Sequence, residues 1–141
     1  MKKKPKPITK GMFELDISIY ATWAAVFVGV NHQQALALAK KQRYSKKFLT
    51  ALNDDVAIEK CNNVSADTNV EGSVCKIDDY LFIFLPPYKL DWDYYDILNH
   101  EIFHLTQFVA VPRGFWDEIE PPAYLHTWLF KTIRKKLSGV K

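Results

Sequence analysis

The chain has four histidines, and two of them bracket a glutamate in the run Asn99-His100-Glu101-Ile102-Phe103-His104-Leu105. In a helix, residues four apart lie one turn above each other on one face, so the two imidazoles can reach a single metal ion. Neutral imidazole nitrogen binds zinc at about 2.0–2.1 Å. Glu101 sits one step round the helix, placed to act on a water beside the ion rather than on the ion itself. The spacing therefore predicts a Zn2+ site held by His100 and His104, with Glu101 as general base.

A catalytic zinc has three protein ligands and one open position. The pattern H-E-x-x-H-x-x-G-x-x-H is excluded, because Gln107 and Ala110 stand where its glycine and last histidine belong. The remaining sources are Asp117, Glu118, Glu120 and His126. Glu120 is the choice. Pro121 and Pro122 fit only the first turn of a helix, which fixes a helix start beside it, with Asp117 as the candidate cap. The helix dipole favours a carboxylate there. Ala123 is small enough to let two helices approach, and 15 residues separate His104 from Glu120, enough to reverse the chain. The competing reading is a capping carboxylate in a solvated first turn.

A developing oxyanion needs a donor, and Tyr124 and His126 are the candidates; a packing aromatic and a surface histidine are the plainer readings. Tyr94 and Tyr95 are weaker ones. Asp96, one turn before His100, could orient that ring or be an exposed acid. His32 is simplest as a helix N-terminal residue outside the site.

The elements that must position these groups follow from pattern. Residues 1–11 form a basic, proline-containing lead expected to be mobile, and 12–141 a single domain. Residues 13–20 look extended, and 22–30 form the continuous apolar run of a buried strand. Asn31 caps a helix over 32–41, followed by a polar stretch holding Phe48 and Leu49. Residues 62–72 read as a loop. Residues 73–77 and 80–85 flank Asp78-Asp79 as a hairpin, ended by Pro86-Pro87. Helices follow over 92–109, halted by Pro112 and Gly114, and over 117–137.

His-Glu-Ile-Phe-His followed some sixteen residues later by Glu-Pro-Pro-Ala-Tyr-Leu resembles the gluzincin class of zinc metallopeptidases, and more narrowly short phage-encoded zinc-peptidase-like proteins. The resemblance covers residues 96–130 sharply. It implies His100, His104 and Glu120 as ligands, Glu101 as base, and a peptide or protein substrate. It also implies an α+β, zincin-like minimal domain: a small sheet, an N-terminal helix, the motif helix and a C-terminal helix carrying the third ligand. Gluzincins pair substrate with a sheet edge, and the strand over 80–85 is the candidate here. A single domain of 141 residues is expected to lack a second lobe that would extend a cleft, so the alternative is a non-catalytic binding or assembly protein on this scaffold.

Composition bounds the rest. At 141 residues, 48% hydrophobic and 25% charged, the chain fits one globular domain. The net charge of +3 is uneven: lysines crowd both ends, while residues 91–120 hold seven acids against Arg113. Short lysine runs are more often solubilising than nucleic-acid contacts, although the basic ends could serve that use. Cys61 and Cys75 lack metal or redox spacing and read as free thiols. Glu14 and Asp16 interrupt the approach to the apolar run over 17–30, which is too short to span a bilayer. A cytoplasmic protein with no membrane partner is expected, in a host cell if phage-encoded.

Overall fold

A computed structural model describes residues 6–65 and 71–139 of the chain, an α+β fold of one four-stranded mixed sheet and five α-helices. The strands are β1 (Gly11–Ile17), β2 (Thr22–Val28), β3 (Ser73–Ile77) and β4 (Tyr80–Leu85). Their order is β1-β2-β4-β3, antiparallel except for the parallel central pair β2 and β4. The hairpin β3–β4 turns at Asp78, whose φ of 53° is the left-handed conformation that Asp tolerates in a tight turn.

Both faces of the sheet are covered, which is why β2 and β4 are apolar without alternation. On one face Ala24, Val26 and Val28 join Leu81, Ile83 and Leu85 against helices α4 (Trp92–Ala110) and α5 (Glu120–Leu137). On the other, Ala25 and Phe27 join Phe82 and Phe84 against α1 (His32–Lys41), α2 (Lys46–Leu52) and α3 (Asp55–Ser65). The first layer is aliphatic. The second is aromatic, with Phe48 stacked or edge-on to Trp23, Tyr44, Tyr80 and Phe82 at centroid distances of 4.3–5.8 Å.

Local chemistry sets the helix ends. Asn31 closes a capping box with Gln34, and Ser45 and Asp91 cap α2 and α4 through side-chain oxygens. Several expectations are corrected. The polar stretch after residue 41 is helix α2, and α3 runs through Asn62 to Ser65, so the loop expected over 62–72 is shorter; residues 66–70 of it lie outside the described residues. After β1 the chain leaves the extended state for a 3-10 turn over Ser18–Tyr20. Helix α5 starts at Glu120 with Pro in its first turn, but its N-cap is Ile119 without a side-chain bond, so Asp117 is not the cap. Part of the lead is tied down: the Ile8 amide donates to the Leu137 carbonyl at 2.7 Å, while residues 1–5 lie outside the described residues. Among the described residues no helix is long and apolar enough to cross a membrane.

Candidate functional site

Helix α4 buries Tyr94, Leu98, Ile102, Leu105 and Val109, a stripe at helical spacing that turns the opposite side outward. His100 and His104 lie on that outer side, with Glu101 at its border and only 6% exposed. All three line one cleft of about 920 Å³. Its floor is β3, contributing residues from Ser73 to Lys76; α3 forms the far wall with Val56, Lys60, Asn63 and Val64. Because β3 ends the sheet order, one side of it has no strand partner among the described residues. The expected edge over 80–85 is corrected: β4 lies between β2 and β3, and β3 is the strand at the cleft.

The two imidazole Nε2 atoms stand 3.1 Å apart. Two zinc–nitrogen bonds of about 2.0–2.1 Å at a near-tetrahedral angle place the nitrogens about 3.3 Å apart, so the pair fits a two-nitrogen chelate with a shift of tenths of an ångström. Without an ion the same distance is a hydrogen bond in which one ring donates and the other accepts. Burial raises the Glu101 pKa above its ordinary 4.5; His100, His104 and Lys60 pull it down, and Glu71 pushes it up. A carboxyl held higher than usual is a stronger base once ionised. Gly72 closes over this side chain. A Cβ at Gly72 would stand 2.6 Å from Glu101 Cγ, so any larger residue there forces the Glu101 side chain or the local backbone to shift.

Glu120 does not join the pair. It is exposed at the start of α5 and does not line the cleft. Among the described residues no group of three or more His, Cys, Asp or Glu comes together in a way that could hold a metal ion. Helical register explains the position. Pro122, Leu125, Leu129, Ile133 and Leu137 form the buried stripe of α5, and at about 100° per residue Glu120 falls on the opposite side. Ala123 is exposed too, so its small size does not serve a close approach at the site.

The other candidates separate likewise. Tyr124 is 70% exposed. His126 points its Nε2 at the Asn99 carbonyl, 3.4 Å away, on the flank of α4 that meets α5. Neither lines the cleft. Asp96 borders a smaller hollow of about 310 Å³ beside His100 and Glu101. Tyr94 is buried and donates to the Pro86 carbonyl at 2.9 Å, and Tyr95 meets the Tyr88 hydroxyl at 3.2 Å. His32 is buried, its Nε2 2.9 Å from the Leu52 carbonyl, far along the chain from the motif. Cys61 and Cys75 are free and buried.

No family model matches this chain, and no curated protein or solved structure does. The likeness to gluzincins therefore rests on the motif residues alone. The pattern reading missed Lys60, Glu71, Gly72 and the exposed side of β3, all of which border the cleft. One signal was available: β3 is five residues long with Lys76 near its end, features common in strands that close a sheet.

Proposed function

We propose that the protein is a zinc-dependent metallopeptidase-like hydrolase that takes an extended peptide along β3 and works through Glu101. One observation carries the reading: two imidazoles 3.1 Å apart, a buried carboxylate and a strand that ends the sheet among the described residues share a single cleft. Zinc bound by His100 and His104 would supply Lewis-acid polarisation of a carbonyl and acidification of water. An added strand exchanges main-chain hydrogen bonds with β3, which fixes the peptide's direction before any side chain is read. Glu101 then takes a proton from the attacking water and delivers it to the leaving amine. Its desolvated position strengthens it as a base, while Lys60 adds positive charge on the far wall where an oxyanion would be repaid.

The zincin-like scaffold belongs to this reading. So does its alternative, a binding or assembly protein with the same cleft, favoured by the separation of Glu120 from the imidazoles. The two divide on one experiment. Zinc titration of the purified protein and of His104→Ala is followed by digestion of denatured casein with Glu101→Gln as control. The hydrolase reading expects one zinc per chain, weakened at least tenfold by His104→Ala, and cleavage abolished by Glu101→Gln. Zinc bound without cleavage supports the binding protein; no zinc at all overturns the metal site.

A further inference from the structure

A second groove, of about 340 Å³, lies on the other flank of α4, between its first turns and the middle of α5. Aromatic rings line it: Trp92, Tyr95 and Phe130. Trp92 is 83% exposed, with its ring edge-on to Tyr95 at 6.5 Å and its remaining surface open. An exposed indole held by a neighbouring ring is a platform for another flat, weakly polar group.

Cations continue from the groove along α5. Lys131 lines it, and Lys135 lies one turn further on the same side. Arg134 is close enough to Tyr88, the hydroxyl partner of Tyr95, for its charge to act on that phenol. Lys6, far away in sequence, comes to the same end of the helix. Ile8 donates to the Leu137 carbonyl, and Gly139 packs against the Lys6 carbonyl so closely that a Cβ there would collide with it. The fold thus gathers Lys6 with Arg134, Lys135 and Lys136 at the end of α5, although they are far apart in sequence.

We propose that this groove binds single-stranded nucleic acid, with a base stacked on Trp92 and its phosphates following Lys131 and Arg134 along α5. Asp96, the acid that lines the groove, decides between polyanions. Asp96 lines the α4 side of the groove with Asn99, away from the cationic track on α5. A strand can run its phosphates along one wall and turn base edges to the other, where a carboxylate and an amide accept and donate hydrogen bonds. An anionic bilayer would cover both walls at once, repelled by Asp96 and stripping water from Asn99 and Thr127 without replacing their partners. A duplex keeps its bases stacked out of reach of Trp92 and would use the cations alone.

The experiment is fluorescence anisotropy of a labelled mixed-sequence oligodeoxynucleotide of about 12 nucleotides at low salt, repeated with the matching duplex and with phosphatidylserine vesicles. We expect the single strand to bind more tightly than the duplex and to be released by salt. Trp92→Ala should weaken it about tenfold or more, Trp92→Phe should restore most of the affinity, and Lys131→Glu with Arg134→Glu should weaken it at least tenfold. Glu101→Gln should leave it unchanged, which separates this groove from the hydrolytic cleft. Absence of single-strand binding, equal or tighter duplex binding, preference for vesicles, or full affinity in Trp92→Ala would each overturn the proposal. Circular dichroism of each variant checks that these exposed changes leave the fold intact.

Discussion

Replacing Gly72 by alanine tests the site without touching a chemical group. The added methyl would lie 2.6 Å from Glu101 Cγ, and 3.3 Å from both Glu101 Cδ and Ile97 Cγ2. Carbon atoms rest at about 3.5–4.0 Å, so the overlap with Cγ is about 1 Å. Ile97 crowds the methyl from another side, and the Glu101 arm is the part that must yield. A catalytic group displaced by about 1 Å loses on the order of a hundredfold in rate. The imidazoles are not among the methyl's three nearest contacts, so zinc affinity should hold within a few-fold. The assay pairs turnover of denatured casein with zinc titration of the same sample. Turnover equal to the parent protein refutes the placement of Glu101 as base. Loss of zinc in parallel with turnover refutes the claim that Gly72 acts on the carboxylate alone.

Phe48→Ala should cost about 3–5 kcal/mol, because this ring is 1% exposed and touches four aromatic neighbours, and melting should fall by on the order of 10–20 °C. Glu101→Gln should stabilise the metal-free protein at neutral pH. The native carboxyl has a raised pKa, so its contribution to stability is fully present below about 4.5 and is lost as pH rises through the native value. The gain should be seen by thermal melting at pH 7.5 and vanish at pH 4, and an equal shift at both would refute the assignment. Burial pushes Cys61 up to about 12 and Cys75 up to about 11. Both thiols should react slowly with a disulfide reagent at pH 8 in the native protein and fast in denaturant; rapid native labelling would contradict their burial.

Much of the fold could be read from local pattern. Strands β2 and β4 were legible because burial on both faces leaves one unbroken apolar run, and α1 because Asn31 is a strong cap. Helices α2 and α3 were not. Helix α3 fully buries the small residues Ala57 and Cys61 with Val64 only partly covered, and its Asn62-Asn63 pair imitates a turn. Within the site, the His100–His104 pairing was legible because it depends on one helix. Whether Glu120 meets that pair depends on how two helices face each other, which no local spacing encodes. The stripe of Leu125, Leu129 and Ile133 did carry the relevant information, since it turns Glu120 outward. Lys60 and Gly72 reach the cleft through tertiary packing and left no signal.

The position of β3 at the end of the sheet has a consequence for association between molecules. A strand that ends a sheet can pair with any extended chain, including β3 of another molecule. Only five residues long and carrying Lys76, β3 gives such a pairing few hydrogen bonds and sets two like charges near each other. Neutralising Lys76 should therefore make concentrated protein self-associate, as a rise in apparent mass by light scattering would show.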